Sequence, residues 1–457
     1  MQSGVGYIEE NSYLYNKKDQ RLFWRNVIEQ LVLFMMIGNA SVTQNKNLLL
    51  VSVALVTVYC FITEKEYLFS FVVGISIYDY AFNLNGMNAT LIPTGILLLR
   101  LLKKNRLILF KSNNCAICTM LILVCELMGD FSYHSFGEVL LSVVNILLFL
   151  YIIANMELLH MDTFRTIVLF AVACLPAIYY MVYMYGDIGT FFNLLFTSSG
   201  LYRFGIGDAN VMGGAMSLPL YALLLLSMSL SYVLVNRKTD AKKGIFLIVI
   251  NAICLFFAFL TISRSLYLGL AATLLAILLG NKKYKESKIF KLFLILVIVL
   301  IGALIMYGDV IEQSITLLFN RISSDRDGAG RTAVWENCFN YMMNHPISIL
   351  IGSGSCKYPT LEEGLGAGAH NLLLDITMSW GILGFGSFLF MLSYALKKIK
   401  KYCGKIESMS YIPLYAVGAF ALTALRSNSL KTWSFLLVTI FVIQDLSMKV
   451  RKYRDDT

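Results

Sequence analysis

Residues 369–396 read AHNLLLDITMSWGILGFGSFLFMLSYAL. A run of this length and apolarity can cross the roughly 30 Å of a bilayer's hydrocarbon core. Yet it opens with His370-Asn371 and carries Asp375 in its first turns. A carboxylate there is costly in hydrocarbon, so it must meet a donor or a wet cavity. On a wheel of about 100° per residue, His370, Leu374, Thr377, Gly381 and Gly384 share one line. Asn371, Asp375, Ser379 and Gly386 form a second polar and small stripe, and Leu373, Ile376, Trp380 and Leu383 form the remaining face. Only that third face suits lipid. The helix is therefore expected to sit in a bundle on two sides, with Gly381 and Gly384 permitting tight helix packing.

Working outward, about fourteen such runs appear, near 22–40, 47–63, 67–83, 88–102, 108–128, 137–155, 166–185, 210–235, 244–262, 265–280, 289–307, 369–396, 411–425 and 431–448. The chain of 457 residues is 58% hydrophobic and 14% charged, with mean hydropathy +0.69. Soluble domains run at about 45–50% apolar and about 25% charged. The expected fold is all-α: a polytopic integral membrane protein of about 14 transmembrane helices (roughly 12–14). With 6 prolines and no Gly/Ser-rich tract, residues 1–457 read as a single membrane domain.

The net charge of +10 raises the question of nucleic acid. The positions of the charges answer it. With the N-terminus in the cytoplasm, inner segments hold 29 of the 38 Lys and Arg residues and outer segments 9. That bias is the positive-inside pattern. It predicts an even number of spans with both termini cytoplasmic, and it leaves nucleic acid unnecessary. The first run has no small-residue cleavage site after its polar, basic start and reads as an uncleaved span.

Two outer segments are long: 186–209 and 308–368. Long ordered loops carry function more often than not. The inner face offers short basic connectors and no G-x-x-x-x-G-K-[ST] loop, which argues against an ATP-driven pump. Inside the larger loop, 331–345 predicts a helix: Val334, Cys338 and Met342 repeat at helical spacing and Pro346 stops it. Such a helix reads as a lid over an outer-face cavity, with Trp335 and Tyr341 placed to anchor it at the membrane interface. Gly352-Ser353-Gly354 follows as a turn. Among the cysteines, Cys115-x-x-Cys118 reads as two apolar residues on a helix, whereas Cys338 and Cys356 share the outer loop and leave a disulfide open.

Of the four histidines, only His370 leads a helix with a buried polar stripe. Arg264 in TISRSLYLGL (261–270) lies where one span emerges and the next begins. Arg331, Arg321 and Arg326 stand in the large loop and Arg203 in the other. A guanidinium is a planar fork suited to phosphate oxygens, so several around one cavity point to a polyanionic ligand at the outer leaflet. A diphosphate-linked lipid fits.

Four stretches then resemble one family. His370-Asn371 followed by Gly381-x-x-Gly384, SRSLYLGL through Arg264 and Leu268, GRTAVWENCFNYMMNHPISILIGSGS, and GDANVMGGAMSLPL with Asn210 are similar to elements of the bacterial O-antigen ligase and polysaccharide polymerase superfamily. The likeness spans roughly residues 200–390 and leaves the N-terminal spans unmatched. It implies a C-type, metal-independent glycosyltransferase with no cofactor, whose donor is a glycan on undecaprenyl diphosphate. A polymerase moves the chain onto another lipid-linked repeat unit, as in O-antigen or capsule; a ligase moves it onto lipid A–core. The motif is common to both, and the span count favours a polymerase.

In the implied mechanism His370 orients or deprotonates the acceptor hydroxyl, work suited to an imidazole at neutral pH. Arg264 and Arg331 meet the diphosphate, with Arg203, Asn210 and Arg326 as further substrate contacts, while Asn371 and Asp375 hold the helix. A single displacement inverts the anomeric carbon. A chain-length regulator protein is a further expected partner beside the bilayer. The rival from another class is a flippase of lipid-linked sugars, which also wants a basic cavity but tends to show two similar halves.

Overall fold

The computed structural model describes residues 17–79, 81–84, 87–105, 110, 112–133, 135–184, 186, 189–190, 217–236, 241–259, 263–279, 331–358, 369–424 and 429–455. Those residues form an α-helical membrane bundle. In chain order it comprises α1 (Lys17–Val42), α2 (Lys46–Ile62), α3 (Lys65–Ile75), α4 (Leu91–Lys104), α5 (Asn113–Asp130), α6 (Phe136–Ala154), α7 (Thr163–Tyr183) and α8 (Ser217–Val235). Then follow α9 (Ala241–Phe259), α10 (Arg264–Leu279), α11 (Arg331–Asn344), α12 (Pro346–Ile351), α13 (Leu372–Cys403), α14 (Ile412–Ala424) and α15 (Leu430–Asp455). Helices dominate because a backbone in lipid must satisfy its own N–H and C=O groups. Side-chain caps start several of them: Asn45 accepts from Leu48 N at 3.0 Å, and Asp162 from Arg165 N at 2.9 Å.

Among the described residues seven helices are long and apolar enough to cross a membrane: α5, α6, α7, α8, α9, α13 and α15. Three more, over Lys46–Ile62, Ser265–Leu279 and Ser408–Leu422, are apolar but shorter. The described part thus falls short of fourteen full spans, and the run 289–307 lies outside it. Runs 67–83 and 88–102 show why hydropathy alone overcounts. The first contains the 11-residue α3, a 3-10 turn Ser76–Tyr78 and the start of a small hairpin; the second is mostly the 14-residue α4. At 1.5 Å per residue these helices reach about 16 and 21 Å, short of the hydrocarbon thickness. The hairpin pairs β1 (Asn83–Leu84) with β2 (Met87–Asn88), antiparallel, and is preceded by the buried Tyr78 and Phe82.

α8 and α15 are the most deeply buried of these spans. Around them, Val51, Val58 and Phe61 on α2, Ile117 and Met120 on α5, and Leu275 and Leu278 on α10 point outward. An apolar outer surface of this kind is what a lipid solvent requires. At one end of the bundle ion pairs gather: Lys398–Glu157 (2.6 Å), Lys449–Asp162 and Lys449–Asp445 (both 2.8 Å), and Arg165–Asp19 (3.1 Å). The opposite ends of α5, α6 and α13 meet the segments 331–358 and 369–371 and form the candidate site.

Candidate functional site

α13 begins at a built junction. Asn371 caps it, its Oδ1 accepting from Leu373 N (3.1 Å) and Leu374 N (3.3 Å). His370, just before, has φ +51°, a left-handed conformation that a non-glycine residue holds only under constraint. The constraint is visible at Ala369. Its carbonyl accepts from the Trp335 indole at 2.8 Å, and its N–H donates to the Tyr358 hydroxyl at 3.1 Å. Both polar groups of the preceding residue are thereby pinned, and the half-buried His370 is held between that clamp and the Asn371 cap.

The helix α11 supplies Trp335. Its Cys338 and Met342 are buried against Tyr358, Ala369 and Met378, with Val334, Tyr341 and Leu374 at the margin. α11 therefore lies over the start of α13. Trp335 and Tyr341 turn inward, not out to an interface: Tyr341 stacks on His345 with centroids 4.3 Å apart and accepts from Ser353 Oγ at 3.3 Å. Burial first, and the charge of Asp375 second, push the Cys338 thiol up to about 12, which places the buried Asp375 beneath α11. Cys338 and Cys356 are both free thiols in separate clusters, so no disulfide joins them.

Below α11, α12 leads into the turn 352–357. Gly352 and Gly354 take φ +77° and +81°. Inside α13, Gly381 takes φ 63°, ψ −169°, a region essentially reserved for glycine. That break interrupts the i to i−4 ladder, and the carbonyls of Met378 and Ser379 accept instead from Ser353 N (2.8 Å) and Gly354 N (2.9 Å). The backbones touch so closely that a Cβ on Gly381 would overlap Leu350 and Ile351, and one on Gly352 would overlap Ser379. Gly381 thus breaks the helix to receive a turn, whereas the sequence pattern reads it as a helix-packing glycine. Gly384, on the far side of the break, is buried, and a Cβ there would crowd the stem of Trp380.

The lipid-facing stripe predicted on the wheel is not the observed one. Leu373 and Leu383 are exposed, but Ile376 and Trp380 are fully buried. Bundle interior and lipid tails are equally apolar, so an apolar face does not declare which it will meet. The break at Gly381 then resets the phase, and Ile382 and Phe390 face outward beyond it.

Trp380 leads to a cluster that the sequence reading passed over. Its Nε1 donates to Glu126 Oε2 at 2.8 Å, where Ser355 N also donates at 3.1 Å. The hydroxyls of Ser142 and Ser355 both reach Glu126 Oε1 at 2.5 Å. One turn on, Asp130 accepts from Cys356 N (3.2 Å) and Lys357 N (3.0 Å). Glu126, Asp130 and Cys356 place ligand-type atoms within 4.8 Å of one another, the residue types of a metal site. Their carboxylate oxygens, however, already accept six donors from the chain, so the cluster works as a latch on the turn. Burial, then the neighbouring Asp130 and Glu126 charges, push the Cys356 thiol up. The signal that exposes this cluster in the sequence is the one used for Asp375: a carboxylate inside an apolar run, here 108–128.

Of the residues expected to act together, His370, Asn371 and Asp375 share the start of α13. Arg331 opens α11 one turn before Trp335, about 6 Å along the helix from the residue that grips Ala369. Arg264 opens α10, which packs against α14 and α8. The side chains of both arginines, and all of Arg203, Asn210 and Arg326, lie outside the described residues.

Residues 249–389 match a family model described as O-antigen ligase. No curated protein matches the chain. The match starts within α9 and ends past Gly384, so it takes in α10, the helix α11, the turn and the first half of α13; the segment around Asn210 falls outside it. Over those residues, which include His370, Asn371 and Asp375, the chain is similar to the O-antigen ligase family.

Proposed function

We propose that the chain polymerises oligosaccharide repeat units carried on undecaprenyl diphosphate, working at the extracytoplasmic face of the cytoplasmic membrane with both termini in the cytoplasm. The observation that carries this reading is the clamp around His370: a half-exposed imidazole forced to positive φ, under a helix that begins with Arg331. In the reaction the acceptor hydroxyl gives its proton to His370 as its oxygen attacks the anomeric carbon. The glycosidic bond to the diphosphate breaks, and the departing diphosphate keeps the electron pair. Arg264 and Arg331 neutralise that charge, with Arg203, Asn210 and Arg326 as further contacts to the lipid-linked donor and acceptor. Preorganised cations of this kind are worth about 3 kcal/mol each. One displacement inverts the anomeric centre and needs no metal.

The ligase reading keeps the same donor and site and changes the acceptor to lipid A–core; the description of the matching family favours it, and the described spans do not decide against it. A flippase has no use for a clamped imidazole at the rim. Gel analysis of surface glycan from a strain carrying His370→Ala tests the reading, with membrane insertion checked in parallel. Single repeats on core mean a lost polymerase, and bare core with polymer still on its lipid carrier means a lost ligase. Polymer of normal length from inserted His370→Ala protein refutes the role given to His370.

A further inference from the structure

The geometry points to Glu126 as a positioning residue that sets the transfer site by latching the turn 352–357, an inference that rests on the reading of His370 above. Glu126 is fully buried on α5, and four donors converge on its two oxygens from three other parts of the chain: Ser142, Ser355 and Trp380. From there the structure runs without a gap to the imidazole. Ser355 belongs to the turn whose Ser353 and Gly354 N–H groups fill the carbonyls opened by the Gly381 break. The same turn ends at Tyr358, whose hydroxyl accepts from Ala369 N, next to His370. Tyr358 also lies in the cluster that seats α11. Backbone fit leaves no slack: a Cβ on Gly129 would overlap the backbone of Gly354, and one on Gly354 would overlap Asp130. Releasing Glu126 therefore frees the turn, Tyr358, and with them the clamp on His370.

The donor set fixes which replacement is tolerated. In Glu126→Gln the amide oxygen still accepts from Ser355 N and the Trp380 indole. Its NH₂ donates to the two serine hydroxyls, which can rotate to accept. Glu126→Ala leaves all four donors without it.

Hydrogen exchange on the full-length protein in nanodiscs reads the latch directly, and glycan chain length in cells reads its consequence. Glu126→Ala is expected to speed exchange at 353–358 and in α11 by about tenfold or more, and Glu126→Gln to restore most of the protection. A Ser355→Ala/Trp380→Phe double variant keeps the carboxylate but removes two of its donors, and is expected to shift in the same direction. If Glu126→Ala fails to insert, that double variant carries the test. Polymer length should fall in the order in which exchange rises. Unchanged exchange in the inserted variants overturns the inference. So does full-length polymer from variants with a loosened turn while His370→Ala makes none. Should His370→Ala also make normal polymer, the reading of His370 fails, and the exchange data still judge the latch.

Discussion

The two ends of the bundle handle buried charge in opposite ways. At the end of α7, α13 and α15 away from His370, acid meets base: Lys449 bridges Asp162 and Asp445, while Asp445 also takes Thr163 N at 2.9 Å and its hydroxyl at 2.6 Å. At the His370 end, Glu126 and Asp130 are held by neutral N–H and O–H donors. A charge pair fixes two helices to each other and asks for nothing more. Two carboxylates that share three successive backbone amides, Ser355 N on Glu126 and Cys356 N and Lys357 N on Asp130, fix a turn, and here that turn supports the clamp on His370. The first end gives stability; the second spends its polar groups on shape.

Breaking the first end should cost the most stability and the least function. Lys449→Ala strands the buried Asp445 and the partly buried Asp162; breaking a fully buried pair costs about 3–5 kcal/mol, and this partly buried one is expected to cost about 2–3 kcal/mol. Thermal unfolding in detergent should drop accordingly, with glycan transfer per folded molecule unchanged. A loss of transfer in the protein that remains folded would break the contrast.

Asn371→Ala is the converse case. It removes a helix cap worth about 0.5–2 kcal/mol, and it sits beside His370. Transfer should fall further than unfolding temperature, with Asn371→Ser, which also caps, recovering part of it. Equal, proportionate losses would make Asn371 a stability residue only. The smallest effect is expected at Arg25→Ala, which removes an exposed one-turn ion pair to Glu29 at 2.7 Å. Neither unfolding nor transfer should move measurably, and a change in either would show that exposed charge matters at that end too.

The contrast also marks what could be read before the fold was known. His370, Asn371 and Asp375 were legible because each breaks the rule of its surroundings: an imidazole and a cap residue at the mouth of a lipid-like run, and a carboxylate within it. Glu126 breaks the same rule in 108–128 and was available to the same argument. Its function as a latch was not legible, because its partners Ser355 and Trp380 stand 229 and 254 residues away. The shortness of α3 and α4 was hidden for a different reason. An apolar run reports compatibility with lipid, not whether the chain turns back through a hairpin before crossing.

By itself, the sequence determined that this chain is a helical membrane bundle, and it singled out the run 369–396 by the polar residues that open it. Those properties follow from local composition, since each apolar segment must close its own backbone hydrogen bonds in lipid wherever it packs. Only the tertiary structure decided which side of that run faces protein, why it breaks at Gly381, and what bends His370 to positive φ. All three depend on contacts between segments distant in the chain, and lipid and bundle interior are too alike in polarity for a single helix to tell them apart.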